Sequence, residues 1–365
     1  MVMAARWTLG TLLATVAHVA AVSTCREPTQ WPWAPSSIWN TPVGRSAQFH
    51  AIGVFNASRP QPKSFYGDED IIVHVHAGDP QTAWYAQGWW GNPGGTAHCN
   101  ITGTPLPLIA FPRDAIFDHW GHNNGAGIVS PDNQTVTQTQ PLYRCSPGSP
   151  VFGLKPDEAW IGQDLVLGNG TRGAHGGSGL SAVGGTIRWW EIAPGGPGMR
   201  HALKIELSAA VYYYRAPNRS TCYRWPATAC DGYALSNHSL AYNGSDPLLT
   251  PGALLAIPPG WNGINRTVPG GLIIKALREY GGYIVDDTAC NRGTFTIEYG
   301  MYPKFLAAYG YDFKAHPGSP FYADLLDAFR ALHVVANNAP ESTGGGGGAP
   351  PGVSPPPPFC PPFDR

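Results

Sequence analysis

Glycine and proline punctuate this chain so densely that no regular element can run far. With 46 Gly and 37 Pro in 365 residues, a helix or strand interior soon meets a residue that breaks it. Yet 43% of the residues are hydrophobic and 13 are tryptophan, enough apolar surface to build a core rather than a disordered coil. The two facts together predict many short strands joined by tight turns. Short β-like runs occur at 71–77 (IIVHVHA), 106–111, 126–130, 134–140, 186–192 and 201–207, and again at 283–287 and 294–299. The run 134–140 (QTVTQTQ) is polar on both faces, which suits an edge or the lining of a cleft. Two segments in the C-terminal third carry helical spacing. Leu272, Ile273, Ala276, Leu277 and Tyr280 share one stripe, stopped by Gly281-Gly282; Leu325, Leu326, Phe329 and Leu332 share another within 322–334. The predicted fold is mainly β: a single β-sandwich or jelly-roll-like domain with two short helices. No repeat of 20–50 residues points to a propeller or solenoid.

The ends differ from the middle. Residues 1–23 hold Arg6, an apolar run over 9–22 and the small residues Ala20, Ala21 and Ser23, the layout of a cleaved secretory leader. Residues 24–340 make the globular domain. From Glu341 the chain reads as a disordered Gly/Pro-rich tail, with glycines at 344–348 and then PPGVSPPPPFCPPFDR. Eight Asn-X-Ser/Thr sequons, at Asn56, Asn100, Asn133, Asn169, Asn218, Asn237, Asn243 and Asn265, suit a secreted glycoprotein. So do seven cysteines without a Cys-x-x-Cys. Cys222 and Cys230 bracket a short loop and are the best local disulfide, and Cys99 with Cys145 is a second candidate.

Net charge is −1 and only 13% of residues are charged, so nothing steers nucleic acid or an anionic membrane to the surface. The expected partner is a glycan. Trp31, Trp33 and Trp39, bounded by prolines, either plug the end of a sheet or form a sugar-stacking platform. Tyr212, Tyr213 and Tyr214 with Arg215, Arg224 and Trp225 add aromatic and cationic contacts suited to sugars and uronates. The densest candidate for chemistry is GAHGGSGLSAVGGTIR (173–188), where glycines frame His175 and Ser178. It is either a sharp β-corner with His175 hydrogen-bonded beneath it or a rigid frame holding His175 as a base in an open groove. It lacks the strand–turn–helix setting of a nucleophile elbow and the Lys-Ser/Thr of a phosphate loop. Asp286 and Asp287 end a strand, and alternation sends them to opposite faces unless the strand stops between them. Glu191, Glu206 and Glu298 are further strand carboxylates. His74 and His76 share a strand face, but no third ligand is indicated, so neither a metal nor a cofactor is expected.

The blocks HGGSGLSAVGGTIR, RHALKIEL, YRWPATACD and YGGYIVDDTA together resemble secreted, β-rich proteins of unknown function from bacteria and algae, over about residues 31–300. The resemblance implies secretion and an intact fold, and no particular activity. The proline-rich tail is similar in composition to hydroxyproline-rich segments of green-algal wall glycoproteins. The expected function is that of a secreted carbohydrate-active enzyme, a polysaccharide lyase or a glycoside hydrolase acting on wall or matrix polysaccharide. Its catalytic candidates are His175, His201, Asp287 and Arg188, and its glycan contacts Trp225, Arg224, Tyr283 and Asn124. The competing expectation is a non-catalytic, lectin-like or structural matrix glycoprotein.

Overall fold

The computed structural model describes residues 25–86, 103–118, 123–153, 160–288 and 291–363. The leader, the sequon at Asn100 and Cys99 lie outside them. The chain is strand-rich, with two sheets and few helices. In order the strands are β1 (Phe49–Ala51), β2 (Phe65–His74), β3 (Gln81–Ala86), β4 (Thr104–Ala110), β5 (Ala126–Val129), β6 (Thr135–Thr139), β7 (Leu142–Tyr143), β8 (Val151–Gly153), β9 (Gln163–Asp164), β10 (Leu203–Leu207), β11 (Leu254–Ala256), β12 (Gly282–Asp287), β13 (Gly293–Glu298) and β14 (His333–Val335). Helices α1 (Trp189–Ile192) and α2 (Ala209–Tyr212) are single turns. The longer ones are α3 (Val268–Glu279), α4 (Met301–Tyr309) and α5 (Pro320–Ala331).

Ten strands form the main sheet, in the order β1-β14-β11-β12-β10-β13-β2-β5-β6-β9, and β4-β3-β8-β7 form the smaller one. The main sheet is mixed. β10 runs parallel to β12, and β13, β2 and β5 run parallel to one another, while β10 and β13 meet antiparallel. Parallel neighbours need crossover segments, and α3 belongs to the one between β10 and β12, while α5 leads from α4 into β14. Proline enters the first turn of α3 and α5, with the Thr267 and Ser319 hydroxyls accepting from the amides of Gly270 and Tyr322.

One face of the main sheet is apolar. Phe65, Leu203, Ile205, Leu207, Phe295 and Ile297 pack with Ile273, Leu277, Phe321, Leu325 and Phe329 of α3 and α5 into the largest core cluster. Alternation therefore gives the other face to Tyr66, Asp68, Asp70, Lys204, Glu206, Thr294 and Thr296. Only a cover that supplies hydrogen bonds can bury such a face, and residues 171–188 supply it.

Three expectations need correction here. The stretch 186–192 is not a strand: Ile187 makes an isolated bridge to Ile297, and Trp189 then begins α1. Helix α4 accompanies the two expected helices. Its proline and short length hid it, but Gly300 and Gly310, both left-handed, bound it cleanly. Thirdly, the segment after Glu341 is docked rather than loose. The amides of Gly44, Arg45 and Ser46 donate to the carbonyls of Gly344, Gly348 and Gly346. Phe359 is buried under the Arg26 guanidinium, 3.6 Å from the ring centroid, and Cys25 is bonded to Cys360. Cys222 and Cys230 form the expected local disulfide, and Cys145 is disulfide-bonded as well. Arg26 also donates to the carbonyls of Trp31 and Trp33, so the tail fastens the Trp-rich N-terminal segment. Trp33 and Trp39 are themselves fully buried, Trp39 Nε1 donating to the Gly170 carbonyl at 2.7 Å. They plug the sheet and offer no platform to a sugar.

Removing residues 341–365 should therefore destabilise the domain. A closed loop this long is worth about 2–4 kcal/mol through its disulfide alone, a fall of roughly 4–10 °C in melting temperature. Thermal melts of the full and truncated proteins under non-reducing conditions check this; an unchanged melting temperature would refute the docking.

Candidate functional site

A pocket of about 590 Å³ opens over the polar face of the main sheet, and the residues of one lateral row form its floor. Asp286 on β12 stands opposite Glu206 on β10, Glu206 opposite Thr294 on β13, and Thr294 opposite Tyr66 on β2. All four line the pocket, as does Asp68, one pleat further along β2. A register shift between Ile205 and Glu206 brings Asp286, rather than Val285, level with Glu206. Asp287, the last residue of β12, lines the pocket too, so strand end and bulge defeat the alternation that would have separated the pair. Asp231 and Tyr233, from the loop after Cys230, complete the wall.

The glycine-rich segment closes the site from above. Its turn is tied by His175 N to Leu180 O at 2.9 Å and by Gly173 N to Gly179 O at 2.9 Å, and anchored to β12 by Ser178 N to Val285 O at 3.1 Å. At Gly176, with φ +59°, a Cβ would overlap the Asp286 carboxyl group, and at Gly177 one would overlap that of Asp231. Bare backbone is what lets the segment lie on the acids. In return Gly177 N donates to Asp286 Oδ1 at 3.2 Å, and Gly176 N donates to Gln140 Oε1 at 2.8 Å. The polar strand 134–140 thus lines the cleft through Gln140. Asn123 Nδ2 holds Asp286 Oδ2 at 2.6 Å, the Tyr233 hydroxyl donates to Asp287 Oδ1 at 2.6 Å, and the Tyr242 hydroxyl donates to Asp231 Oδ2 at 2.6 Å.

Beside the pocket, where the covering segment meets the sheet, lies a sealed knot of charge. Asp70 is fully buried and receives Lys204 Nζ, His175 Nδ1 at 2.8 Å and the Thr186 hydroxyl at 2.6 Å. Burial alone would push Asp70 up, but the Lys204 ammonium and His175 outweigh it and hold its pKa below the usual carboxylate range. Burial pulls Lys204 down, with Asp70 resisting. His175 Nε2 points the opposite way, 3.5 Å from Glu206 Oε1 and 4.0 Å from Asp68 Oδ2.

Glu206, Asp286 and Asp287 titrate high. Burial, then the charges of Asp68, Asp286 and Asp287, push Glu206 well above its ordinary value. Burial, then Asp231 and Asp287, do the same to Asp286, with the amides of Gly177 and Asp287 pulling back. Burial lifts Asp287 to about 6 against the Tyr233 hydrogen bond. Two groups of donors could grip a cation. Asp68, His175 and Glu206 form one and Asp231, Asp286 and Asp287 the other, each with ligand atoms within 4.8 Å of one another.

Of the residues singled out from sequence, Asp287 lines the pocket. His175 lies beside the pocket, sealed between the covering segment and the sheet with no solvent exposure, so the expectation of an open groove histidine is corrected: the glycines admit a carboxyl group, not water, to its surroundings. His201 and Arg188 sit elsewhere, around a tiny cleft beneath Trp31 and Trp39. His201 Nε2 is 3.1 Å from Glu191 Oε1, whose charge overcomes burial and raises the histidine's pKa. Arg188 donates to the Val183 carbonyl at 3.0 Å. Among the proposed glycan contacts, Tyr283 is buried edge-on to Trp39, Trp225 packs against the same cluster, and Arg224 donates to the Ala336 carbonyl at 3.0 Å. Asn124 is buried with φ +49°, and its neighbour Asn123 reaches the pocket instead. The residues missed were Asp68, Asp70, Asp231, Tyr233, Asn123 and Lys204. The signal for the first two was present: Tyr66, Asp68 and Asp70 occupy alternate positions immediately before the apolar run at 71–73.

No known protein family, curated protein or solved structure matches this chain.

The raised acids set the pH dependence of stability. An unfolded Asp287 ionises near its ordinary pKa of about 3.9, whereas the folded protein holds the proton until about pH 6. The folded state binds more protons in that window, so stability falls as pH rises through it, by on the order of 2–3 kcal/mol for Asp287. Glu206 and Asp286 act in the same sense, as does His201, whose stabilising charge is lost as pH rises through its raised pKa. Asp70 acts oppositely, but only in stronger acid. In a chelating buffer the melting temperature should be higher at pH 5 than at pH 7.5, and Asp287→Asn should narrow the difference. A flat or reversed profile contradicts the assignment.

Proposed function

We propose that the protein is an extracellular glycoside hydrolase acting on glycans that carry little negative charge. The observation that carries the reading is the shared wall of the pocket, where Asp286 and Asp287 stand side by side with Asp231 against them. Glycosidic hydrolysis needs one carboxyl group to protonate the leaving oxygen and a second, ionised, to attack the anomeric carbon or deprotonate water. Crowding three carboxyls, two buried and one half-buried, makes them titrate as a unit that keeps a proton while another member is charged. Burial raises all three, Asp286 well above the ordinary range, and Asp287 becomes a carboxylate above about pH 6. Ligand atoms within 4.8 Å of one another lie nearer the spacing of enzymes that form a covalent glycosyl intermediate, about 5 Å, than the wider spacing that admits a water. Tyr66, Tyr233, Asn123 and Gln140 supply the rings and amides suited to sugar hydroxyls.

The charge of the same lining favours a neutral substrate. A uronate brings its own carboxylate, which a wall of acids repels. Among the described lining residues the acids Asp68, Glu206, Asp231, Asp286 and Asp287 face one cation, Arg292. A jelly-roll scaffold is not needed for the reading, since a mixed sheet carries the acids. Work outside the cell is supported by the disulfides and by the sequons. Asn56, Asn169, Asn218, Asn237, Asn243 and Asn265 are exposed and Asn133 is partly so. Among the described residues no helix is long and apolar enough to cross a membrane.

A panel of neutral and uronate-bearing polysaccharides, read both as reducing ends and as ultraviolet absorbance of unsaturated products, tests the proposal. New reducing ends from neutral glycans, without unsaturated products, are expected. Asp287→Asn should cut turnover by about 10²–10⁴-fold while leaving the melting temperature at pH 7.5 unchanged or higher, because it removes a costly buried charge. Unsaturated products would instead establish a lyase, and saturable binding without turnover a lectin.

A further inference from the structure

We infer that Asp68, His175 and Glu206 form a binding site for one divalent transition-metal ion of the Mn²⁺ or Zn²⁺ class. The argument starts at His175. Asp70 already accepts from Lys204 Nζ and the Thr186 hydroxyl, so it faces His175 Nδ1 as an acceptor. The hydrogen-bond network therefore assigns the ring proton to Nδ1 and leaves the Nε2 lone pair facing away from Asp70. A carboxylate behind Nδ1 is the usual support of a metal-bound histidine, because it fixes the tautomer and raises the basicity of the other nitrogen.

What Nε2 faces completes the case. Neither His175 Nε2 nor Glu206 Oε1 has a hydrogen-bond partner, although both side chains are sealed from solvent. Buried polar atoms rarely go unsatisfied, and leaving two adjacent ones so is costly. A shared proton does not serve, since their 3.5 Å separation is too long for an O–H···N bond. It is the separation expected of two ligands on one ion: tetrahedral donors about 2.1 Å from a metal lie about 3.4 Å apart. Asp68 Oδ2 stands 4.0 Å from the same nitrogen, and the three donors lie within 4.8 Å of one another.

The donor set selects the ion. An imidazole nitrogen disfavours Ca²⁺ and Mg²⁺, which take oxygen ligands, and the absence of thiolate disfavours the softest metals; one imidazole with two carboxylates suits Mn²⁺ and Zn²⁺. Glu206 and Asp68 also line the pocket, so a bound ion would keep positions open towards it. The assignment stands apart from the reaction proposed above, because metal binding is read without substrate.

The test is metal titration of the full-length secreted protein after chelator dialysis. Mn²⁺ is followed by the electron paramagnetic resonance of the free ion and Zn²⁺ by competition with a chromogenic chelator. The expected result is one equivalent of Mn²⁺ or Zn²⁺ per chain and a higher melting temperature on binding. Ca²⁺ and Mg²⁺ should bind at least about 100-fold more weakly. Glu206→Gln, which keeps shape and removes a charged ligand, should weaken binding at least about 100-fold, and Asp70→Asn, which touches no metal, by about 10–100-fold. Asp231→Asn, in the outer acid group, should change it less than about threefold. Should Asp70→Asn fail to fold, Glu206→Gln decides alone. Absence of stoichiometric binding at about 1 mM metal, indifference to Glu206→Gln, a preference for Ca²⁺ or Mg²⁺, or loss of binding in Asp231→Asn instead would overturn the assignment.

Discussion

The ion pair of Asp70 with Lys204 is the interaction on which the rest of this molecule rests. Both groups are fully buried, on β2 and β10, strands separated by β13 in the sheet order. A buried pair of this kind adds little net stability over apolar residues, yet losing one partner typically costs about 3–5 kcal/mol. Its value is in what it specifies. Lys204 Nζ also donates to the Ser181 carbonyl, and Asp70 receives His175 and Thr186. One charge pair thereby sets how the covering segment 173–188 lies on the sheet. A slip of that segment by one residue would leave Asp70 short of donors in a dry interior, which is a steep penalty for a wrong register.

That arrangement explains how the protein keeps so many acids at one place. Charge inside the knot is compensated, whereas the pocket beside it holds carboxyls with few cations near. They respond in the way buried acids must, by keeping protons. The contrast between a compensated Asp70 and uncompensated Glu206 and Asp286 on the same sheet face separates a carboxylate held for structure from those the pocket presents. Burial alone does not separate them, since all three are sealed. Partners do.

The sequence shows the scaffold better than the site. Runs such as 126–130 and 283–287 fall on strands because alternation and breakers are local properties. Helices α3 and α5 were visible through their apolar stripes, although both begin earlier than those stripes, at prolines that serve as first-turn residues. The parallel pairings were not visible. They depend on which distant strands meet, and no local pattern records that β2 lies between β13 and β5. The site suffered most where a rule of alternation was applied through an irregularity. Strict alternation would send Asp286 and Asp287 to opposite faces, but a bulge and a strand end gather both at one pocket. The glycine frame does mark His175, but as a buried residue and not an exposed one. A glycine frame shows that something approaches closely, and here the approaching groups are Asp286 and Asp231.

The tail shows the same limit from the other side. Its composition argues for a loose polyproline spacer, because it has no periodic apolar face and the entropy of ordering it is large. Composition misses what a few well-placed contacts can do. Five glycines with positive φ trace a path no other residue could follow at low cost. That path hydrogen-bonds Gly44, Arg45 and Ser46, just beyond the tryptophans that plug the sheet. Phe359 then lodges under Arg26, and the disulfide to Cys25 closes the clasp. The ordering cost is met at three points rather than along a continuous face. The plug fastened in this way holds Trp39 against Tyr283 on β12, the strand that three residues later presents Asp286 to the pocket. A segment with no core of its own thus bears, through one aromatic contact, on the placement of the acids.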